Sequence, residues 1–329
     1  MSPALQATDL YRVARKIESW FARHQRPLPW RETYEPYRVW VSEVMLQQTR
    51  MEVVVPYFER FIERFPTLRA LAAAAEEDVL AAWSGLGYYR RARMLHAAAR
   101  AANGAVPRTV EKLTALPGVG RYTAGAIASI AFNQRAPIVD GNVARVLARI
   151  FGSEDDPWTR AKSLVDACKQ PRDLNQGLME IGALICTPRK PACLVCPVRA
   201  ECTTRSDALP VAKPKKETRA LRIALYLITD RKGRVLMRRE SGPLMNAMYH
   251  LPHGDTSLLT GEPLNVVTCD LLGTFKHTVT TRRIEFALYT ATARVRASRE
   301  WAWVDVGAIS DVPHPSYVRK ALRIAYNNS

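Results

Sequence analysis

Apolar residues recur at steps of three and four positions from residue 8 to about residue 200, with few interruptions. Segments such as "DLYRVARKIESWFARH", "YRVWVSEVMLQQT" and "GNVARVLARIF" place their apolar side chains on one face of an α-helix. The pattern therefore predicts an all-α first domain, to which we assign residues 1–204.

The pattern changes after residue 204. The stretch "TTRSDALPVAKPKKETR" is polar and contains proline, which predicts an exposed basic linker at residues 205–218. The runs that follow, among them "LRIALYLITD", "GRVLMRRE" and "RRIEFALYTATA", favour β-strands, and "SYVRKALRIAYNN" favours a last helix. We expect residues 219–329 to form an α+β domain with a mostly antiparallel sheet.

The composition fits two folded domains that act on a polyanion. Of the 329 residues, 47% are hydrophobic, which is enough for a core in each domain. The net charge of +17 is spread over both domains and favours a nucleic-acid partner that contacts both. The chain has no run of about 18 uncharged apolar residues and begins with an amphipathic segment. We therefore expect no membrane partner and a cytoplasmic, nucleoid-associated location.

Four of the six cysteines lie close together in "CTPRKPACLVCPVRAEC". Because the chain shows no secretory signal, metal ligation is favoured over disulfides. A single C-x2-C pair with two flanking cysteines suits a 4Fe-4S cluster at least as well as zinc, and the spacing leaves both metals open. The candidate ligands are Cys186, Cys193, Cys196 and Cys202.

The stretch "LPGVGRYTAGA" places Gly118 and Gly120 between two helical segments. A dinucleotide-binding fingerprint needs a strand before the first glycine, whereas "VEKLTAL" is helical, so that interpretation is excluded. A helix-hairpin-helix remains, in which free backbone N–H groups at the two glycines bind a DNA phosphate. A turn that serves only packing is the alternative. Farther along, Asp140 precedes a new helix, where an aspartate is commonly a cap.

The glycine hairpin, Asp140 about 20 residues beyond it and the four cysteines together resemble the endonuclease III superfamily of base-excision DNA glycosylases. Within it, five motifs are similar, in order, to those of adenine DNA glycosylases: "LPWR", "VWVSEVMLQQT", "GLGYYRRARMLH", "VDGNVARVLAR" and "LMEIGALICTP". The resemblance implies a helix-hairpin-helix glycosylase domain whose cysteine loop holds a 4Fe-4S cluster. More loosely, it implies a Nudix (MutT)-like second domain.

The resemblance also implies a monofunctional enzyme that hydrolyses adenine from pairs with 8-oxoguanine or guanine. Bifunctional relatives carry a lysine at the position of Tyr122, and a phenol cannot form their Schiff base. Glycoside hydrolysis uses two carboxyl groups with different tasks. Glu43, among apolar neighbours in "WVSEVML", is expected to protonate adenine. Asp140 is expected to stabilise the positively charged sugar, with Asn142 and Tyr122 placed around it.

Base excision from a duplex requires a pocket for the flipped base and side chains that fill the gap. By the resemblance, the adenine pocket uses Arg26, Trp30, Arg31, Leu46 and Glu180. The side chains beside the orphaned partner base are Gln48, Thr49, Leu86 and Tyr88.

The second domain departs from the family in the loop that reads 8-oxoguanine. The family pattern F-x-H-T-F-S-H is here "FKHTVTT", in which Thr280 keeps a hydroxyl that can hydrogen-bond to the lesion. The preceding segment lacks the glutamate-rich helix of an active Nudix hydrolase, so we expect no nucleotide hydrolysis there.

Two other functions stay open. Mismatch glycosylases that remove thymine opposite guanine also carry tyrosine at the position of Tyr122, although Glu180 and the second domain argue against that activity. A non-catalytic lesion-binding protein is disfavoured because both Glu43 and Asp140 are present. In each case the partner is double-stranded DNA, and we expect a monomer.

Overall fold

The structure, a computed structural model, describes residues 7–210, 219–240, 247–253, 266–279, 282–293 and 300–326. The chain divides into two compact units, the first made of Met1–Ala72 with Met94–Lys213 and the second of Ala73–Arg93 with Pro214–Ser329. The second unit thus includes residues 73–93, which the hydrophobic pattern did not separate from the rest of the helical region. Most of the predicted linker and Thr280 lie outside the described residues.

The helical region follows the hydrophobic periodicity. Its α-helices are α1 (Ala7–His24), α2 (Pro36–Leu46), α3 (Met51–Arg64), α4 (Leu68–Ala73), α5 (Glu76–Ala82), α6 (Arg90–Ala101), α7 (Val110–Thr114), α8 (Arg121–Ile130), α9 (Gly141–Phe151), α10 (Pro157–Ala167) and α11 (Pro171–Leu184). A short 3-10 helix follows at Cys193–Val195. The described part of this region contains no strand, which confirms the all-α prediction.

The core of the first unit forms where α1 packs against α9, α10 and α11. In α1, Val13, Ile17 and Phe21 are spaced four residues apart and are completely buried. Gly177 allows α11 to approach closely, because a Cβ atom there would lie 2.6 Å from the Ile17 side chain. This packing fixes α9 and α11, the two helices that carry Asp140 at a terminus and Glu180 on a buried face.

The glycine turn joins α7 to α8 and has the predicted helix-hairpin-helix form. Gly118 has a left-handed φ of 72°, and a Cβ atom there would lie 2.4 Å from Met94 Cβ. Val119 is buried between the two exposed glycines, so that it anchors the turn. Gly120 is the N-cap of α8 and makes no side-chain capping bond. The first backbone N–H groups of α8 therefore have no side-chain acceptor from the cap.

The second unit is α+β, as predicted. Its described strands are β1 (Arg219–Leu227), β2 (Val235–Arg239), β3 (Tyr249–His250), β4 (Val266–Val279), β5 (Arg282–Ala293) and β6 (Trp301–Val304), and its last helix is α12 (Ser316–Tyr326). They form two sheets, ordered β1-β5-β4 and β3-β2-β6. All pairings are antiparallel except β1 with β5, which is parallel. Alternate residues of β1 and β5, among them Leu225 and Leu288, are buried in one core with Leu322 of α12.

Candidate active site

A cavity of about 590 Å³ in the first unit brings most of the predicted site residues together. Its lining includes Arg26, Trp30, Arg31, Glu43, Leu46, Gln48, Thr49, Tyr122, Asp140, Asn142 and Glu180. The predicted residues Gly118 and Gly120 do not line it, and Leu86 and Tyr88 belong to the second unit.

Glu43 is held inside this cavity by helix α2, most of whose residues are buried. The carboxylate of Glu35 caps this helix by accepting hydrogen bonds from the backbone N–H groups of Tyr37 and Arg38. The Glu43 side chain is only 5% exposed. Burial raises its pKa to about 7; the Tyr122 hydrogen bond opposes this rise, the charge of Asp140 adds to it, and Arg31 again opposes it. A large fraction of Glu43 therefore carries a proton at neutral pH.

Tyr122, the second residue of α8, connects to this carboxyl group. Its hydroxyl donates to Glu43 Oε2 at 3.0 Å and lies 3.4 Å from Met179 Sδ. Burial, with the charges of Glu43 and Asp140, raises the pKa of Tyr122 well above its ordinary value. The phenol therefore stays neutral and remains a donor over the working pH range.

Asp140 caps α9, as its position in the sequence allowed, and also lines the cavity. One oxygen caps α9 by accepting from the Val143 backbone N–H at 2.7 Å. The other oxygen has a longer contact, 3.4 Å, from the Asn142 amide nitrogen. Arg145 fixes the orientation of that amide by donating to Asn142 Oδ1 at 2.8 Å. The cap thus uses one carboxylate oxygen and leaves the second weakly bonded in a residue that lines the cavity.

Glu180 forms a buried polar cluster with two arginines. Its carboxylate is 2.7 Å from Arg31 Nη1 and 2.8 Å from Arg26 Nη2. Arg31 is also held by Gln176, whose Oε1 accepts from Arg31 Nε at 2.9 Å. Two guanidinium groups facing one carboxylate leave a formal charge of +1 in this part of the cavity. Planar groups of this kind suit hydrogen bonding to the edge of a flat ligand.

The other predicted contacts differ in exposure. Trp30 is buried and packs edge-on against Phe58, whereas Gln48 is exposed with a left-handed φ of 58°. Tyr88 is 45% exposed. Leu86 is only 6% exposed, so its side chain is buried in the protein alone, and its place beside the orphaned base stays a prediction.

The four predicted cysteines line a second cavity in the first unit: Cys186, Cys193, Cys196 and Cys202. Arg149 on α9 donates to Cys186 Sγ at 3.3 Å and to the carbonyls of Thr187 and Pro188. Burial raises the pKa of the Cys196 thiol to about 11. In the described parts of the chain, no three His, Cys, Asp or Glu side chains form a group that can hold one metal ion.

The active-site cavity also has lining residues that the sequence analysis did not assign: Leu28, Val39, Gln47, Met51, Ile130, Gly141, Gln176, Met179 and Ala183. Gln176 lies one helical turn before Glu180 on α11 and therefore on the same face. Helical spacing from Glu180 would have found it. Met179 and Ile130 carry no signal that distinguishes them from core residues.

Comparisons with known proteins identify the family of this chain. Residues 41–170 match the family described as "HhH-GPD superfamily base excision DNA repair protein". A protein of Buchnera aphidicola (Schizaphis graminum) named adenine DNA glycosylase is 30% identical over 96% of this chain and 99% of its own length. This chain belongs to the adenine DNA glycosylase family. A Rattus norvegicus member is 47% identical over 59% of this chain. The matched region spans only 42% of that relative's own length.

Two solved structures share the fold of the helical region. A thermostable thymine-DNA glycosylase is 31% identical with a TM-score of 0.56, over 61% of this chain and 99% of that chain. An endonuclease III in a non-covalent complex with DNA is 25% identical with a TM-score of 0.53, over 61% and 97%. The helical region of this family member therefore has the helix-hairpin-helix glycosylase fold. None of the described helices is long and apolar enough to cross a membrane.

Proposed function

We propose that this protein is a monofunctional DNA glycosylase that flips adenine paired with 8-oxoguanine or guanine out of duplex DNA and hydrolyses its glycosidic bond. The observation that carries the proposal is a pair of carboxyl groups, Glu43 and Asp140, in one cavity but in different surroundings. Glu43 is buried and half-protonated near neutral pH, whereas Asp140 accepts hydrogen bonds from two N–H donors. This difference in surroundings suits Glu43 to act as the acid and Asp140 to act as the stabilising carboxylate.

The reaction follows from this difference. Glu43 gives its proton to a ring nitrogen of adenine, so that the electron pair of the breaking sugar–base bond leaves with a neutral base. Asp140, as a carboxylate, stabilises the positive charge that develops on the sugar. Water then adds to the sugar carbon and gives a proton to the ionised Glu43, which restores the acid and leaves an abasic site. Tyr122 orients Glu43 and offers no amine, so the DNA strand is not cut.

The walls of the cavity support adenine as the base. Trp30 and Leu46 give apolar surface for a flat ring, and the cluster of Glu180, Arg31 and Arg26 gives a hydrogen-bonding edge. The family relatives named adenine DNA glycosylase favour the same assignment. The likeness to a thymine-DNA glycosylase makes release of thymine opposite guanine the second candidate.

Duplex binding is assigned to backbone N–H groups and spread positive charge. The exposed glycines of the hairpin, Gly118 and Gly120, leave N–H groups at the start of α8 for a DNA phosphate. Exposed Gln48 and Tyr88, together with Thr49, are assigned to the space beside the orphaned base. Thr280 is assigned to 8-oxoguanine. We propose that the enzyme works as a monomer at the nucleoid.

We also propose that the four cysteines hold a 4Fe-4S cluster. They line one cavity, and their order and spacing resemble those of the endonuclease III superfamily, whose cysteine loop holds such a cluster. When bound, it cross-links the loop that carries Arg189, Lys190 and Arg199, which then faces DNA phosphates as one rigid element.

One assay tests the proposed function. The protein is incubated with end-labelled duplexes that carry A, T, C or G opposite 8-oxoguanine or guanine, and each product is analysed before and after alkali. We expect base release from the A-containing strands alone, with strand cleavage only after alkali. Release of thymine opposite guanine would establish the second candidate. Lesion binding without release from any duplex would show a non-catalytic protein.

A further inference from the structure

The loop formed by residues 83–89 carries the exposed Tyr88 between α5 and α6. Three of its residues have left-handed φ angles: 104° at Gly85, 73° at Gly87 and 49° at Tyr88. This conformation costs little for glycine but is unfavourable for tyrosine. Tyr88 therefore needs surrounding contacts that keep the 83–89 loop in this form.

Some of the contacts that hold the 83–89 loop come from the loop itself and from the neighbouring Arg91. Gly87 O accepts hydrogen bonds from Trp83 Nε1 and from Arg91 Nη2, both at 3.2 Å. The Arg91 guanidinium also lies 5.5 Å from the ring centres of Trp83 and Tyr88. These contacts hold the middle of the 83–89 loop but leave its two ends to other partners.

Both ends are held by one residue from the C-terminal part of the second unit. The Tyr89 hydroxyl accepts from the Gly85 backbone N–H at 3.1 Å and donates to His314 O. The His314 backbone N–H in turn donates to Ser84 Oγ at 3.0 Å, and Ser84 is almost fully buried. The two backbone polar groups of His314 thus bind two different positions of the 83–89 loop.

His314 is itself fixed. Its side chain is completely buried between Pro313 and Pro315, where the proline rings restrict the backbone. Nδ1 donates to Val312 O at 2.8 Å, and Nε2 accepts from Arg319 Nε of α12 at 3.0 Å. Burial lowers the pKa of His314 to about 4, so the neutral ring that this arrangement needs is present at neutral pH. The anchor for the 83–89 loop is therefore rigid.

We propose that Tyr89 and His314 are positioning residues that set the conformation of the 83–89 loop, and with it the place of Tyr88, before DNA binds. The role of Tyr88 beside the orphaned base rests on the proposed function, whereas the anchoring of the loop does not. An insertion loop that is already ordered loses less conformational entropy when DNA binds. The C-terminal part of the chain thus contributes to the placement of Tyr88.

The first test measures the 83–89 loop in the full-length protein without DNA. Hydrogen exchange is compared between wild type, Tyr89→Phe and a matched control, Tyr37→Phe, which loses a buried hydroxyl that donates to Phe65 O at 2.8 Å. Loss of the two hydrogen bonds of the Tyr89 hydroxyl is expected to speed exchange in residues 83–89 about 5- to 150-fold in Tyr89→Phe only. Unchanged exchange there would overturn the anchoring. If Tyr89→Phe does not fold, Ser84→Ala repeats the test by removing the hydrogen bond from the His314 backbone N–H to Ser84 Oγ.

The second test asks whether Tyr89 acts through Tyr88. Single-turnover adenine release is measured for Tyr88→Ala, Tyr89→Phe and the double variant. We expect Tyr89→Phe to slow release by up to about 150-fold in the wild-type background and to have no effect in the Tyr88→Ala background. Equal slowing in both backgrounds would overturn the positioning of Tyr88. A normal rate for Tyr88→Ala would overturn its role in the proposed function, while faster exchange in Tyr89→Phe would still establish the anchor.

Discussion

Replacing Tyr122 by phenylalanine tests whether Glu43 acts as an acid. The change removes a 3.0 Å hydrogen bond from the phenol to Glu43 Oε2 and keeps the aromatic ring. Burial raises the pKa of Glu43, and this hydrogen bond lowers it by stabilising the ionised carboxylate. With both effects present, the pKa of Glu43 is about 7. A hydrogen bond to a buried charged group is worth about 1.5–3 kcal/mol. Its loss should therefore raise the pKa of Glu43 by about 1–2 pH units.

The direction of the pH effect distinguishes an acid from a base. If Glu43 donates a proton, the protonated form is active, and the rate of adenine release falls as pH rises through the pKa of Glu43. The wild-type rate should then decline above about pH 7, and the decline should move to about pH 8–9 in Tyr122→Phe. Well below pH 7 both proteins carry the proton, so any difference there reports lost orientation of Glu43.

The assay is single-turnover release of adenine from an A:8-oxoguanine duplex at pH values between about 5.5 and 9.5, followed by alkaline cleavage. The control is Tyr37→Phe, because Tyr37 lies on the same helix as Glu43 and its hydroxyl donates elsewhere, to Phe65 O. Its profile should match that of the wild type. A decline that stays in place in Tyr122→Phe, or that moves to lower pH, would refute the assignment of Glu43 as the acid.

Four further predictions concern other parts of the protein. Asp140→Asn should lower adenine release by at least about 10²-fold yet preserve duplex binding and thermal stability, because asparagine also caps α9; a large loss of stability would contradict this. Glu43→Gln should raise the melting temperature at pH 8 but not at pH 4. The rise of the Glu43 pKa from 4.5 to about 7 on folding lowers the stability of the wild type by about 3 kcal/mol above pH 7 and has no effect below pH 4.5. Equal melting shifts at both pH values would disprove this. Anaerobically purified protein should contain about four iron atoms per chain, and stoichiometric zinc would rule out the cluster. Restoring Phe, Ser and His at residues 279–281 should increase discrimination between 8-oxoguanine and guanine several-fold to about tenfold, and unchanged rate and affinity ratios would place lesion recognition elsewhere.

Local sequence was sufficient for much of the helical region. The apolar spacing in α1 predicts which face is buried, because a helix brings residues three and four apart onto one side whatever it packs against. The glycine turn was also predictable, since the left-handed φ of Gly118 is a local requirement. The cavity residues Glu43, Asp140 and Glu180 were found because each lies in a short motif that resembles a known family.

The sequence did not indicate long-range contacts. Periodicity shows that α5 has a buried face, but not that α5 and the 83–89 loop pack with the C-terminal part of the chain. Leu86 was expected to face DNA and is buried, because its exposure depends on the left-handed angles around it and on the anchoring of the loop. The parallel pairing of β1 with β5 was missed for the same reason, since alternation fixes the faces of a strand and not its partner.

The sequence by itself thus determined the class of each domain, the hairpin, the cysteine set and the residue types of the proposed catalytic pair, all of which lie in short local motifs. Only the tertiary structure decided the properties that depend on surroundings from distant segments. It buries Glu43 beside Tyr122 and raises its pKa to about 7. It also joins Tyr89 to His314, 225 residues away. Burial and hydrogen bonding between distant segments exist only once the chain has folded, because no short stretch of sequence contains both partners.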